Sequence, residues 1–185
     1  MAAATITVGI DEAGRGALAG PVVAGACVLP VSRIPVRIGD SKQLSPNERE
    51  ASFEWIIKHC VYGVGIVAAS EIDRIGILAC TEIAMQQAVA AVANVHPTLY
   101  LLIDGRDAFW FDYPHSSIIR GDESEPCIGA ASIIAKVTRD RLMIKYSRKF
   151  LKYGFGQHKG YGTPEHLATL KKHGPCMLHR KSFLS

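Results

Sequence analysis

Four acidic residues are the strongest candidates for chemistry in this sequence, since each lies at or just after an apolar segment patterned like a strand. Asp11 and Glu12 close a segment in which apolar residues alternate. Asp104 follows a wholly apolar run, and Asp122 lies in the loop after another short segment. Sites collect at strand ends in α/β sheets, and converging carboxylates normally need bound cations, with oxygen ligands favouring Mg²⁺ or Mn²⁺. The pattern predicts a site for two-metal phosphodiester hydrolysis.

The pair Asp11 and Glu12 poses a geometric difficulty, because neighbouring side chains on a strand point to opposite faces of the sheet. Both can serve one ion only if the chain departs from strand geometry near Glu12, which the glycines that follow would allow. Acidic residues at strand ends are also often solvated or capping residues. For each carboxylate taken alone, that alternative stays open.

Gly14, Arg15 and Gly16 predict a tight turn directly after this acidic pair. Its bare backbone could approach a ligand closely and offer N–H donors beside one guanidinium, or it could be an ordinary turn. With Ala19, the glycines also match a loose dinucleotide fingerprint, which introduces a nucleotide-binding oxidoreductase as a second hypothesis. That match is weak, because the acidic pair would repel a pyrophosphate and Pro21 leads into an apolar strand instead of a helix.

Basic residues concentrate between positions 136 and 152, where Asp140 is the sole acid. They are Lys136, Arg139, Arg141, Lys145, Arg148, Lys149 and Lys152. A basic band of this kind suits a polyanion such as nucleic acid, although a solvated helix face would have the same composition.

Tyr161 stands between two glycines in the C-terminal part of the chain, which would expose its ring and hydroxyl. The ring could stack on a sugar or base, or pack within the protein. Histidines are frequent in the same region, but the sequence has no His-Glu-x-x-His zinc pattern. We expect these histidines to lie at the surface or to form hydrogen bonds.

The elements that must position these residues alternate between strands and helices. Apolar patterning predicts strands over residues 5–11, 22–29, 61–69 and 99–103, with a possible fifth over 117–120. Helices are predicted from a capping box at Ser45, Pro46 and Glu48 to about Lys58, then over about 70–95 and 126–150, and from Pro164 onward. This order favours an α/β domain with a mixed sheet and helices on its faces.

Bulk properties limit the class of protein. The 185 residues fit one domain, and 48% hydrophobic with 21% charged residues is a globular balance. The five cysteines are widely spaced and predict reduced thiols. The sequence shows neither a membrane-length apolar run nor a leader pattern, so we expect a cytoplasmic protein without membrane association.

Six short blocks of this sequence together resemble the signature blocks of the ribonuclease HII family, over nearly the whole chain. They are residues 9–16 (GIDEAGRG), 40–42 (DSK), 102–105 (LIDG), 121–122 (GD), 130–140 (AASIIAKVTRD) and 159–166 (KGYGTPEH). The resemblance implies a ribonuclease H-like three-layer α/β fold, with a central five-stranded mixed sheet flanked by helices and with additional C-terminal helices. Residues 1–185 would form a single catalytic domain whose C-terminal helical part binds substrate.

The same resemblance assigns roles to individual residues. It implies that Asp11, Glu12, Asp104 and Asp122 are the catalytic and metal-binding carboxylates. The residues implied to bind substrate are Gly14, Arg15 and Gly16 at the ribose 2′-hydroxyl, Tyr161 stacked on the sugar, and Lys42, Ser132 and Lys136 near the substrate backbone. Asp140 is expected to be structural and paired with a nearby base.

The function implied is a metal-dependent endonuclease that uses Mn²⁺ or Mg²⁺. It would hydrolyse the RNA strand of RNA–DNA hybrids and nick on the 5′ side of single ribonucleotides embedded in duplex DNA, leaving a 3′-hydroxyl and a 5′-phosphate. We expect a monomer that acts in DNA replication and ribonucleotide excision repair. The alternative is a protein that binds hybrids without cutting them, but the presence of all four carboxylates favours the enzyme.

Overall fold

The computed structural model describes residues 5–184, which form a five-stranded sheet with helices on both faces. The strands are β1 (Ile6–Ala13), β2 (Val22–Val28), β3 (Val61–Val67), β4 (Leu99–Asp104) and β5 (His115–Ile118). Their order across the sheet is β3-β2-β1-β4-β5. The pairs β1–β2 and β2–β3 are antiparallel, whereas β1–β4 and β4–β5 are parallel. The predicted mixed sheet is therefore confirmed, including its fifth strand, which lies two residues earlier than expected.

The helices include the four regions predicted from the sequence, one of them divided in two, and two short helices that were not predicted. They are α1 (Pro46–His59), α2 (Ala69–Ile75), α3 (Ile77–Ala93), α4 (Gly121–Ser124), α5 (Pro126–Ser147), α6 (Phe155–His158) and α7 (Pro164–His173). Short 3₁₀ turns cover Leu151–Tyr153 and Lys181–Phe183. No helix among residues 5–184 is long and apolar enough to cross a membrane.

Helix α1 begins at the predicted capping box. The Ser45 hydroxyl accepts a hydrogen bond from the Glu48 backbone N–H at 3.3 Å, and the Glu48 carboxylate accepts one from the Ser45 N–H at 2.9 Å. Pro46 occupies the first turn, where its missing N–H costs nothing. Local sequence chemistry is thus sufficient to fix this end of the helix.

The single helix predicted over residues 70–95 is wrong, because the chain forms two helices separated at Gly76. This residue has φ 86° and ψ 161°, a combination outside the helical region. Its N–H still bonds to the Ile72 carbonyl, so it ends α2 and then redirects the chain into α3. A positive φ costs glycine little, which explains why the break falls at this position.

The sheet separates two apolar cores. Helix α3 packs on β3, β2 and β1, while α5 packs on β1 and β2 from the opposite face, together with α1. Glycines allow helix and sheet to approach closely, since a Cβ on Gly65 would clash with the Ala84 carbonyl oxygen and one on Gly25 with that of Ala131. Helix α5 is thereby held directly over β1, the strand that carries Asp11.

Candidate active site

Three of the four predicted carboxylates converge at the edge of the sheet. Asp11 lies near the end of β1, Asp104 ends β4, and Asp122 belongs to α4. One oxygen from each carboxylate lies within 4.8 Å of the other two. The parallel pairing of β1 with β4 brings Asp11 and Asp104 side by side. Asp122 is held next to them by a hydrogen bond of 3.3 Å from its N–H to Asp104 Oδ1.

Electrostatics at this cluster favour a bound cation. Burial, followed by the nearby charges of Glu12 and Asp104, raises the pKa of Asp11 well above its ordinary value. Burial and the charge of Asp104 also raise the pKa of Asp122. Three carboxylates this close resist ionising together, and a divalent cation would relieve that repulsion. An all-oxygen set of ligands fits Mg²⁺ or Mn²⁺.

Glu12 does not join this cluster. Strand β1 continues past Glu12 to Ala13, so the predicted departure from strand geometry is wrong. The Glu12 carboxylate pairs with the Arg15 guanidinium at 3.1 Å. Burial raises the pKa of Glu12, although Arg15 opposes the shift. Glu12 nevertheless lines the same cavity as Asp11.

Residues 14–16 form the predicted turn, closed by a hydrogen bond of 3.3 Å from the Ala17 N–H to the Gly14 carbonyl. Gly14 has φ 96°, and a Cβ there would collide with the Arg139 side chain. Gly16 has open space around it and no positive φ, so nothing within residues 5–184 requires a glycine there. The backbone N–H groups of Arg15 and Gly16 have no hydrogen-bond partner in this part of the chain. The turn thus presents free donors.

The Arg15 side chain is held to the protein through one of its nitrogens. Its Nη1 donates to Glu12 Oε1 at 3.1 Å and to Asp107 Oδ2 at 2.7 Å, which anchors the turn to the acidic edge of the sheet. Its Nε and Nη2 make no hydrogen bond to residues 5–184, so the role of this guanidinium as a ligand donor stays a prediction. Asp107 gave no signal in the sequence, because its role depends on a contact 92 residues away.

One cavity of about 460 Å³ unites most of the predicted site. Its lining includes Asp11, Glu12, Gly14, Arg15, Gly16, Lys42, Ser132, Lys136 and Tyr161. Asp104 and Asp122 lie beside it through their contact with Asp11. Carboxylates, a turn with free donors, two lysines and an aromatic ring therefore face a common space.

Lys42, Ser132 and Lys136 border the carboxylates on the side of α5. The Ser132 hydroxyl lies 3.0 Å from that of Ser41. The same hydroxyl is close enough to Asp11 to lower the pKa of that carboxyl against the effect of burial. Partial burial would lower the pKa of Lys42, but nearby carboxylates, Asp40 first among them, outweigh it and raise the pKa. The Lys42 ammonium is therefore held charged beside the acidic cluster.

Lys136 is anchored on its own helix by an ion pair with Asp140 at 3.0 Å, which confirms the predicted pairing of that acid. The half-buried ring of Tyr161 lies 5.7 Å from the Lys136 Nζ and 5.0 Å from the Arg139 Cζ. Two cations of α5 therefore lie within cation–π distance of this ring.

The basic band proposed from the sequence is smaller than expected. Arg139 is fully buried, and Arg141 forms ion pairs with Glu50 and Glu54. Lys145, Arg148, Lys149 and Lys152 remain exposed and have no ion pair with an acid among residues 5–184. Within this band, the cations available to a polyanion are therefore Lys136 at the cavity and those at the far end of α5 and in the turn that follows it.

The C-terminal histidines are hydrogen-bonded or exposed, as predicted: His158, His166 and His179 form hydrogen bonds, and His173 lies at the surface. Two of them are buried. His166 and His179 are 0% and 2% exposed and belong to a cluster packed around Phe155.

The cysteines are free thiols, with Cys27 and Cys80 buried, as expected. Sequence reasoning missed the buried arginines Arg139 and Arg180, whose partners are distant backbone carbonyls.

Comparison with known proteins assigns this architecture to one family. A model of the family described as ribonuclease HII matches residues 8–185. Ribonuclease HII of Burkholderia thailandensis is 49% identical over 179 residues, covering 96% of this chain and 83% of the relative. Ribonuclease HII of Chlamydia muridarum is 49% identical over 177 residues, covering 95% and 80%.

Solved structures agree with this result. The ribonuclease HII of Archaeoglobus fulgidus, solved in a complex with PCNA, has a TM-score of 0.77 at 26% identity, covering 95% of this chain and 94% of its own. Ribonuclease H2 of Pyrococcus horikoshii has a TM-score of 0.74 at 27% identity, covering 95% and 92%. A ribonuclease HIII in complex with Mn²⁺, at 16% identity and a TM-score of 0.71, shares the fold.

Proposed function

This chain belongs to the ribonuclease HII family and is a metal-dependent endoribonuclease, and we propose that it also nicks duplex DNA beside single embedded ribonucleotides. The cut would fall on the 5′ side of the ribonucleotide and leave a 3′-hydroxyl and a 5′-phosphate. RNA strands of RNA–DNA hybrids are the second substrate. The observation that carries this proposal is that Arg15 and Gly16, whose backbone N–H groups have no hydrogen-bond partner among residues 5–184, line the cavity that holds Asp11.

The 2′-hydroxyl is the only local feature that distinguishes one ribonucleotide from the DNA around it. A hydroxyl can accept hydrogen bonds from backbone N–H groups, and Gly16 leaves room for a sugar to approach them. Placing this turn beside the acidic cluster lets the protein detect the sugar next to the bond that it cuts.

Asp11, Asp104 and Asp122 are proposed to hold the catalytic ions, with Glu12 at the rim of the same cavity. When bound, two divalent cations supply an activated water and stabilise the leaving oxygen. Ser132 orients Asp11 through its hydroxyl, and the Lys42 ammonium helps to hold the scissile phosphate. Lys136, fixed by Asp140, is placed to contact a neighbouring phosphate.

Tyr161 is proposed to stack on the sugar that the turn detects. Its ring lines the cavity, and its hydroxyl makes no hydrogen bond to the described residues, so the ring is free to serve as an apolar platform. Stacking is tolerant of base identity, which suits an enzyme that responds to a ribose and not to a sequence.

We place this activity in the cytoplasm during DNA replication and ribonucleotide excision repair, and expect a monomer.

Cleavage of a labelled DNA duplex with one ribonucleotide tests this proposal, in Mn²⁺, in Mg²⁺ and with chelator. We expect metal-dependent nicking on the 5′ side of the ribonucleotide, with products ending in a 3′-hydroxyl and a 5′-phosphate. The matched control is the same duplex without the ribonucleotide, which should remain intact. Nicking of a continuous hybrid with none at the single ribonucleotide would reject the finer proposal, and binding without nicking of either substrate would favour a non-catalytic hybrid-binding protein.

A further inference from the structure

Arg139 and Arg180 are both 0% exposed, although arginine is rarely buried without an acidic partner. Within residues 5–184, no carboxylate lies within ion-pairing distance of either guanidinium. Burial, followed by the like charge of Arg139, lowers the pKa of Arg180 to about 10. A buried charge is costly unless its donors are satisfied, so the partners of these guanidiniums indicate what they are for.

Arg180 fixes the turn of residues 14–16 from behind. Its Nη1 donates to the Arg15 carbonyl at 2.8 Å, while its Nε and Nη2 donate to the Gly20 carbonyl at 3.1 and 2.9 Å. The Arg180 backbone N–H also donates to the Leu18 carbonyl at 2.8 Å. Both ends of the segment that contains the turn are therefore tied to one side chain near the end of the chain.

Arg139 connects the same segment to Tyr161. Its Nε donates to the Pro21 carbonyl at 3.0 Å and its Nη2 to the Ala19 carbonyl at 3.0 Å. Its Nη1 donates to the Lys159 carbonyl at 2.9 Å, two residues before Tyr161, and the guanidinium lies beneath the tyrosine ring. Direct backbone bonds from Leu18 and Ala19 to the Gly160 carbonyl strengthen this link.

We propose that Arg139 and Arg180 are positioning residues that hold the turn of residues 14–16 and Tyr161 as one rigid unit for ribonucleotide recognition. This inference rests on the proposed function, because it assigns a purpose to the fixed distance between turn and ring. Neither guanidinium reaches the cavity, so neither touches substrate. The planar fork is required, since one flexible ammonium cannot satisfy several carbonyls in fixed directions.

The alternative is that the two arginines only stabilise the fold. The variants Arg139→Lys and Arg180→Lys separate these roles, because lysine keeps the charge and loses the fork. Steady-state kcat and KM are measured for each variant on a duplex with one ribonucleotide and on a continuous hybrid. Val92→Ala, in the apolar core on the other face of the sheet, is the control for lost stability. Arg74→Lys, on exposed α2, is the control for the exchange itself.

We expect each lysine variant to lower the ratio of kcat/KM on the single ribonucleotide to kcat/KM on the hybrid by about tenfold, the effect of losing one aligned transition-state contact. Val92→Ala and Arg74→Lys should leave this ratio unchanged, even where Val92→Ala lowers the melting temperature. In a Tyr161→Ala background, Arg139→Lys should change the ratio by less than about twofold, because residues that act through each other are not additive.

Equal losses on both substrates, in proportion to the loss of stability, would show that the arginines are only structural. An unchanged ratio in a wild-type enzyme that does nick single ribonucleotides would overturn this inference alone, whereas no such nicking by the wild type would overturn the proposed function with it. Hydrogen exchange of the wild-type enzyme needs no variant and covers the case in which the variants do not fold. After correction for intrinsic exchange rates, the amides of Leu18, Ala19, Gly20 and Arg180 should share one free energy of opening, and unrelated opening free energies would contradict a rigid unit.

Discussion

The buried imidazoles of His166 and His179 face each other with their Nε2 atoms 3.0 Å apart. His166 Nδ1 lies 2.9 Å from the Tyr161 carbonyl and must donate to it, so the Nε2 of a neutral His166 accepts from His179. His179 Nδ1 in turn accepts from the Cys176 N–H at 2.9 Å. Both rings are therefore neutral, and a chain of hydrogen bonds runs from the C-terminal segment to the backbone of Tyr161.

This arrangement predicts a loss of stability in mild acid. Burial, followed by the nearby His166, lowers the pKa of His179 from 6.5 to about 4, and burial also lowers the pKa of His166. Because the folded pKa is the lower one, the unfolded state binds more protons between these values. The contribution of His179 is complete above pH 6.5 and decreases as the pH falls toward 4, by roughly 3 kcal/mol in all.

Denaturant unfolding of the wild type and of His179→Gln between pH 4 and pH 8 measures this effect. The free energy of unfolding of the variant should be lower at pH 8 and should vary less with pH below 6.5. His173→Gln is the matched control, because His173 is exposed on α7 and should keep the wild-type pH dependence. A His179→Gln curve parallel to the wild-type curve would rule out the neutral pair.

Asp104→Asn should abolish cleavage and leave the fold intact. The amide oxygen can still accept from the Asp122 N–H, while the loss of one charge weakens cation binding and relieves repulsion within the cluster. Activity should fall by more than about 100-fold, since changing groups that merely support metal ligands already costs about 10- to 100-fold.

Cleavage rates and melting temperatures with and without Mn²⁺ test this prediction. The metal-free variant should melt at or above the wild-type temperature, and the stabilisation by Mn²⁺ should disappear. Asp112→Asn, an exposed acid outside the site, should behave like the wild type. Near-normal cleavage by Asp104→Asn would reject the metal site.

Alanine at the two turn glycines should affect different properties: Gly14→Ala should reduce stability, whereas Gly16→Ala should reduce nicking. Gly14→Ala should destabilise the protein by about 1–3 kcal/mol or more, since it combines a positive φ with a collision against Arg139. Gly16→Ala should change stability by less than about 0.5 kcal/mol, as its Cβ meets no atom of the described chain. Its Cβ would instead meet the substrate, so nicking at a single ribonucleotide should fall by about tenfold or more.

Thermal unfolding combined with nicking assays distinguishes the two glycines. A stable Gly16→Ala enzyme with normal nicking would mean that substrate does not approach this backbone. The same result would remove the main support for detection of the sugar by the turn.

Tyr161→Ala should reduce nicking at single ribonucleotides more than cleavage of long hybrids. Stacking on an aromatic ring contributes about 1–3 kcal/mol, which corresponds to a loss of about 10- to 100-fold at the single site. A continuous hybrid offers further ribose contacts, which should compensate for the lost stacking on Tyr161. Tyr161→Phe is the matched control and should remain close to the wild type, since it keeps the ring. Equal losses on both substrates would exclude a specific role in detecting the sugar.

Much of the fold could be predicted from local sequence chemistry. The capping box at Ser45 fixes the start of α1, and the alternating apolar residues of β1 deliver Asp11 to the sheet edge. The failure at Gly76 arose because isolated glycines are tolerated within helices, so residue type alone does not reveal a positive φ.

The site was less predictable where partners are distant in sequence. The convergence of Asp11, Asp104 and Asp122 followed from the strand ends, but Glu12, which the sequence grouped with them, pairs with Arg15 and lies outside that cluster. Arg139 was assigned to the basic surface band because many of the residues near it in the sequence are also basic. Its position on the apolar face of α5, and three carbonyl partners 20 to 120 residues away, put it in the interior instead.

Helix α5 places Ser132, Lys136 and Arg139 along one face, spaced by four and three residues. These side chains adjoin, in turn, the acidic cluster, the cavity and the turn with its tyrosine. Two helical turns, roughly 10 Å, separate the first from the last. Under the proposed function, the pitch of α5 would therefore set the interval between the bond that is cut and the sugar that is detected, and a ribose one nucleotide out of place would not fit this interval.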